Sequence, residues 1–351
     1  MKIAILHDYF QKSGGGERLV INTARSLKAD IFTGFVDQEI PSDINVTSLN
    51  VKPTTQPFTG KNIAKKFSTL HLPEYDFFIF SGVWCISAAF HLHPNLLYLH
   101  TPPRFMYDLN DYFMKNSNPL KKILLKKFIR EWKPKDQEYM KNFDIICPNS
   151  KNTERRFRKY YPGNNTKTQV VYTGIDTIKF RTGKDEDFFL SASRLDPLKR
   201  IDIIIEAFKK NQKRLIITGS GPDEKRLKKL AKGFSNIEFT GKVSEKKLID
   251  LYATCSATIT AAIDEDLGLT PIESNAAAKP CIAVNEGGYI ETVIPEKTGL
   301  FFSPSSDSLN KAIDKFSKSK FSKTVMKKNA EKYDIDVFAK NIQKIIRQTM
   351  K

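Results

Sequence analysis

Short, largely apolar runs alternate with longer amphipathic stretches along the whole chain. The runs at 3–6, 30–34, 77–80, 96–100 and 145–148 predict strands, and the stretches at 17–27 and 119–141 predict helices. From Thr173 to about residue 183 the pattern breaks, and charge and glycine mark a linker. The rhythm then restarts. Strands are predicted at 188–192, 214–218, 237–240, 258–263 and 281–284, with helices at 201–210 and 222–232. The last stretch, 336–350, is amphipathic, with Val337, Ile342, Ile345 and Ile346 on its apolar side. Strands alternating with helices predict parallel sheets covered on both faces, an α/β fold. No short-period repeat is present, which excludes a solenoid. The expected architecture is two Rossmann-like domains facing across a cleft: residues 1–172, completed by the C-terminal helix 336–351, and residues 173–335.

Composition narrows the class. A chain of 351 residues suits two domains, and 40% apolar residues can give each a core. No apolar stretch reaches the roughly 18 residues a membrane span needs. Residues 1–7 form a short apolar run followed at once by polar residues, which reads as a first strand and not as a secretory leader. Cys85, Cys147, Cys255 and Cys281 lie far apart and mostly inside apolar runs, so buried thiols in a reducing cytosol are expected.

The formal net charge of +18 favours polyanionic partners: nucleic acid, an anionic membrane surface or phosphorylated substrates. It equally fits a solvated lysine-rich surface. The absence of a basic tail or aromatic–basic repeat argues against nucleic acid. The basic amphipathic stretch 120–133 and the shorter segment 61–66 can lie on an anionic membrane or be ordinary domain helices. The expected location is cytoplasmic, peripheral on the inner face of the membrane.

Candidate chemistry gathers after the predicted strands. Glu265 and Glu273 bracket a Gly-containing turn leading from the strand at 258–263 into a helix expected to start near Pro271. Carboxylates there can accept hydrogen bonds from a polyhydroxylated ligand, while helix N–H groups face a phosphate. Thr270-Pro271-Ile272-Glu273 also fits a capping box, which would make Glu273 a cap. Arg194 and Lys199 follow the strand at 188–192 and can clamp a diphosphate or form a charged turn. Gly14, Gly15 and Gly16, with Ser13 before them, follow the first strand. Gly219 and Gly221, then Gly287 and Gly288, follow later ones. Such glycines let backbone approach phosphate or simply make turns. His100 ends a strand, where it can meet an acceptor or phosphate or be a satisfied core-edge histidine. No Asp-x-Asp pair is placed to hold a metal.

Together these segments resemble the retaining glycosyltransferases of family 4, which have the GT-B fold. Glu265 to Glu273 resembles that family's paired-glutamate signature, and Ser193 to Asp202 its Arg/Lys diphosphate segment. Gly219-Ser220-Gly221-Pro222 and Glu286-Gly287-Gly288 fall where the family has glycine loops. His7-Asp8-Tyr9, Gly15-Gly16-Glu17-Arg18 and His100-Thr101-Pro102-Pro103-Arg104 are similar to the mannosyltransferases that build bacterial O-antigen-type polysaccharides. The likeness runs from the first strand to about Phe302.

The resemblance implies transfer of a hexose from a nucleotide sugar, GDP-mannose by subgroup, with retention, front-face attack and no metal or other cofactor. The acceptor implied is a glycan or a polyprenyl-linked glycan. It implies that Arg194 and Lys199 neutralise the leaving diphosphate, Glu273 holds the ribose and Glu265 the donor-sugar hydroxyls. Gly268 and Leu269 would lie near sugar and phosphate, Gly15, Gly16, Gly219 and Gly288 would belong to the donor site, and His100 would sit near the transferred sugar. Ala278 stands where the family commonly has Gly, and Leu267 where it commonly has Phe, which bears on pocket shape. A UDP-sugar-dependent transferase and a nucleotide-sugar epimerase are the alternatives.

Overall fold

In the computed structural model, residues 1–11, 14–55 and 57–351 are described. The expectation at Ser13 lies outside them. The chain divides into two compact units, Met1–Thr173 with Phe338–Lys351, and Gly174–Val337.

Among the described residues the first unit holds six strands: β1 (Ile3–His7), β2 (Asp30–Thr33), β3 (Val46–Ser48), β4 (Phe77–Ser81), β5 (Asn95–Leu99) and β6 (Ile145–Pro148). Its helices are α1 (Gly15–Leu27), α2 (Phe58–Phe67), α3 (Asn110–Lys115), α4 (Pro119–Tyr139) and α5 (Lys151–Tyr160). The sheet order is β3-β2-β1-β4-β5-β6, with every pair parallel. β1, β4, β5 and β6 are buried at every position, as a parallel sheet covered on both faces requires. Phe67, Phe80, Trp84, Phe128 and Trp132 fill one side of it. Directly after β1, the buried Asp8 carboxylate accepts the backbone N–H groups of Val83, Trp84 and Cys85 at 2.7, 2.9 and 2.8 Å. Those charge-assisted bonds fix the turn leaving β4.

The second unit holds β7 (Phe189–Ala192), β8 (Leu215–Thr218), β9 (Ile237–Gly241), β10 (Ala257–Thr260), β11 (Cys281–Val284) and β12 (Gly299–Phe302). Its helices are α6 (Ile201–Asn211), α7 (Glu224–Leu230), α8 (Glu245–Thr254), α9 (Leu269–Ala276), α10 (Tyr289–Thr292), α11 (Ser306–Ser317) and α12 (Lys323–Glu331). The order is β12-β11-β10-β7-β8-β9, again parallel. The α/β class with two doubly wound sheets is therefore as the apolar rhythm predicts. α13 (Ile335–Thr349) follows. Phe338, Ile342, Ile345 and Ile346 are buried, whereas Val337, expected on the apolar side, is exposed. Phe338 instead packs edge-on against Tyr98 at 5.2 Å. All four cysteines are free and buried.

Three local expectations are corrected. The strand expected at 258–263 ends at Thr260. The Ala261 and Ala262 carbonyls accept from the Arg200 guanidinium at 2.6 and 3.2 Å, and the Ile263 N–H donates to Leu198 O at 2.8 Å, so these groups are lost to the ladder. The helix expected near Pro271 begins at Leu269, with Gly268 as its N-cap. The capping box is therefore absent: Thr270 lies inside the helix, and Glu273 receives its hydrogen bond from a tyrosine on another element. The first-strand glycines are also not all loop, because Gly15 and Gly16 open α1.

Candidate active site

In the first unit the chain winds from β1 toward β2 and β3 on one side, and returns to β4, β5 and β6 on the other. Segments leaving β1 and β4 therefore diverge at the carboxyl edge of the sheet, the kind of place where open α/β sheets bind ligands. The amino end of α1 starts there. The Gly14 N–H donates to the Glu17 carboxylate at 3.1 Å, and a Cβ on Gly16 would meet open space. Packing thus does not explain the glycine at 16. His7, Ser81 and His100 sit at or just past the ends of β1, β4 and β5. His7 Nδ1 lies 2.5 Å from Ser81 O, and His100 Nε2 lies 2.8 Å from Ser81 Oγ.

The second unit has the equivalent divergence between β7 and β10. The segment after β7 carries Arg194, then a 3-10 turn (Pro197–Lys199) whose start is held by Asp196 Oδ1 accepting from Leu198 N at 3.0 Å. The segment after β10 carries Glu265. Lys199 Nζ donates to Glu265 Oε2 at 2.6 Å, and the two side chains are 28% and 24% exposed. Two residues singled out separately in the sequence, 66 positions apart, are thus one ion pair. Arg194 is exposed. Beside the pair, α9 starts without a side-chain cap, so the N–H groups of its first turn face the same edge.

The glycines have distinct physical reasons. Gly268 has φ +83°, and a Cβ there would enter the Tyr289 ring. A Cβ on Gly287 would lie 2.6 Å from both the N and the O of Glu265, and one on Gly288 would strike Asp266 and Leu267. The Gly288 N–H donates to Glu265 O at 2.8 Å, so this turn clasps the Glu265 backbone. Gly219 and Gly221 pack against the carbonyls of Ser193 and Leu195, and Leu195 N donates to Ser220 O at 3.0 Å. That glycine turn supports the Arg194 segment from below.

Glu273, in the second turn of α9, is half-buried and accepts from Tyr252 Oη at 2.5 Å. Leu269 is half-buried at the first position of the helix. Among the described residues no group of three or more His, Cys, Asp or Glu side chains is placed to hold a metal ion.

Residues 175–333 match the family described as glycosyl transferases group 1. The second unit thus carries a group 1 glycosyltransferase domain, and the chain has the GT-B fold. Alpha-1,3/1,6-mannosyltransferase ALG2 of Dictyostelium discoideum is 24% identical across 99% of this chain and 98% of that protein. The GDP-mannose-dependent alpha-(1-6)-phosphatidylinositol monomannoside mannosyltransferase of Mycobacterium tuberculosis is 31% identical, across 45% of this chain and 48% of its own length. Among solved structures, sucrose-phosphate synthase from Thermosynechococcus elongatus has a TM-score of 0.80 at 18% identity, covering 99% of this chain and 98% of that one. At that identity the likeness is one of fold. The matched family and the two mannosyltransferases are transferases, which leaves the epimerase alternative unfavoured.

Several groups that shape this candidate site were given no role by the sequence. Tyr252 lies in α8, 21 positions before the glutamate it bonds. Burial, then the Glu273 carboxylate, raises its hydroxyl pKa. Tyr289 sits under Gly268 and bonds Thr260 Oγ1 at 2.6 Å. Burial, then Glu265, raises its pKa too. Both hydroxyls therefore stay protonated at neutral pH, and that of Tyr252 donates to Glu273. Arg200 and Glu286 form a pair at 2.6 Å. Tyr252 and Tyr289 lie in no motif, and Arg200 and Glu286 lie inside motif segments that gave them no role; only the contacts show what they do.

His100 is held neutral. Desolvation, then the neighbouring His7, lowers its pKa to about 4. A histidine of the unfolded chain titrates near 6.5. Between those values the unfolded state binds more protons, so stability falls as pH drops from about 6.5 to about 4 and is complete above 6.5. The loss from this group is at most about 3 kcal/mol. Two-dimensional NMR titration of His100 should show a neutral ring at pH 6 with a midpoint near 4. A midpoint near 6.5 would contradict the packing described.

Proposed function

We propose that the second unit binds a nucleotide sugar, GDP-mannose, and that the enzyme transfers the mannose with retained configuration and no metal. The acceptor would be a glycan or a polyprenyl-linked glycan in cell-surface polysaccharide synthesis. The observation that carries this reading is the Lys199–Glu265 pair beside exposed Arg194 and the uncapped start of α9. Charge builds on a leaving diphosphate as the glycosidic bond breaks. Two cations and a row of N–H dipoles fixed beforehand stabilise it at little cost in reorganisation. Because Arg194 and Lys199 supply positive charge, the reading gives no role to a metal.

Each remaining residue has a place in the reading. Glu265, held by Lys199, accepts from donor-sugar hydroxyls. Glu273, already oriented by Tyr252, accepts from the ribose. Gly268 and Leu269 bring backbone to sugar and phosphate, with Gly288 clasping Glu265 and Gly219 supporting Arg194. Gly15 and Gly16, at the start of α1, are assigned to donor binding by the resemblance alone. Neutral His100, a hydrogen-bonding group without charge, is assigned to the transferred sugar by the resemblance alone. Mannose as the sugar is supported by the names of the two mannosyltransferase relatives and by the N-terminal motifs.

Purified enzyme should turn over GDP-mannose and not UDP-glucose in the presence of a glycan acceptor, and NMR of the product should show the donor's anomeric configuration. Lys199→Ala should lower turnover by roughly 10²–10³-fold with little change in melting temperature. Transfer from UDP-sugars alone would overturn the donor, an inverted product the mechanism, and an active Lys199→Ala enzyme the site.

The reading extends to an anionic membrane surface on the cytoplasmic side. Among the described residues no helix is long and apolar enough to cross a membrane. α4, however, leaves Leu120, Ile123 and Leu124 69%, 65% and 49% exposed, near-neighbours on one side of the helix with lysines 121, 126 and 127 around them. Farther along, Phe128 and Trp132 are buried, so the helix is anchored while its start presents apolar side chains ringed by cations. Such a surface fits anionic lipid, where each lysine near the headgroups contributes about 1 kcal/mol. Lys61 of α2 is turned to this helix, donating to Glu131 at 2.8 and 2.7 Å, while Lys65 and Lys66 are exposed. The protein should float with phosphatidylglycerol vesicles and not with neutral ones, and replacing Leu120, Ile123 and Leu124 by Ser should reduce flotation at least fivefold. Equal flotation with both lipids, or none lost on substitution, would count against this surface.

A further inference from the structure

Arg200 follows Lys199 and adopts the left-handed conformation, φ +48° and ψ 40°, at the junction between the 3-10 turn and α6. A non-glycine residue there is uncommon and sits in a strained region, so the side chain must offset the cost of its backbone. Its guanidinium is almost wholly engaged. Nε donates to Ala261 O at 2.6 Å and Nη2 to Ala262 O at 3.2 Å. Nη1 and Nη2 meet Glu286 Oε1 and Oε2 at 3.2 and 2.6 Å, a two-pronged pair. The side chain is 16% exposed, leaving little room for a ligand to use it directly.

These bonds join three segments, those leaving β7, β10 and β11, which are neighbouring strands in the sheet. The first carries Lys199, the second Glu265, and the third the Gly287–Gly288 turn that clasps Glu265. Two backbone bonds complete the brace, Ile263 N to Leu198 O and Gly288 N to Glu265 O, both 2.8 Å. We propose that the Arg200–Glu286 pair is a positioning clamp that sets the register of Lys199 against Glu265. This rests on the assignment of Lys199 and Glu265 to the donor site. Arg200 itself touches no substrate. It acts through the segments it ties. A lysine cannot replace it, because one ammonium cannot span two carbonyls and a carboxylate in the plane of a fork.

The test uses Arg200→Lys, with Glu286→Gln as the second variant, in the full-length enzyme. Steady-state kinetics should show kcat down by about 10²-fold with donor KM changed less than fivefold, as expected when catalytic groups are misplaced by about an ångström. Amide hydrogen exchange, which needs no turnover, should accelerate at least tenfold at Ile263 and Gly288 and stay unchanged within β10. Unchanged exchange at both amides, or kcat within threefold of wild type, would overturn the clamp. A variant that melts globally earlier, with exchange raised throughout β10, would also overturn it, because that is the behaviour of a merely structural residue. Failure of wild-type enzyme to use any nucleotide sugar would instead remove the donor assignment, while the exchange result would still decide whether the clamp exists.

Discussion

Because β7 and β10 lie side by side and run the same way, the segments leaving their carboxyl ends must cross the same edge of the sheet before turning to opposite sides. That topological constraint brings Lys199 and Glu265 together across 66 positions. Parallel pairing also points helix amino ends toward that edge, so the α9 dipole and the lysine add at one place. The first unit repeats the arrangement between β1 and β4, with α1 starting beside His7, Ser81 and His100.

A diverging edge alone would be loose. It is drawn tight by backbone contacts that only glycine permits and by charges that tie loops to one another. Gly287 and Gly288 lie against the backbone of Glu265 and its neighbours, and Gly219 and Gly221 lie against the carbonyls beside Arg194. Arg200 takes the Ala261 and Ala262 carbonyls away from β10 and so ends that strand early. The early end frees residues 261–267 to form the turn that presents Glu265. Local conformation, strand length and site geometry thus follow from one guanidinium and a few glycines. The Lys199–Glu265 pair, partly exposed, holds both charged groups in place, and a bound diphosphate would share the lysine.

The parallel sheets were legible because doubly covered strands must be apolar at nearly every position, as at Phe77–Ser81 and Cys281–Val284. Two strands escaped. Val46–Ser48 has no fully buried residue, and Gly299–Phe302 opens on a glycine, which weakens a strand pattern. Arg194, Lys199, Glu265 and Glu273 stood out because charged residues follow strand ends. Their partners did not. Tyr252, Arg200 and Glu286 belong to elements whose meeting depends on the tertiary fold. The capping-box reading of Thr270 and Glu273 failed because Gly268, with φ +83°, can occupy the N-cap two residues earlier.

In the proposed function, the edge between β7 and β10 holds a nucleoside diphosphate through Lys199 and Arg194. Calorimetric titration of GDP into wild-type protein and into the Lys199→Ala and Arg194→Ala variants tests it without an acceptor or turnover. Wild type should bind at micromolar concentration and each variant at least tenfold more weakly, a loss of about 1.4 kcal/mol or more. Binding of equal strength in all three proteins would place the nucleotide elsewhere and contradict the claim.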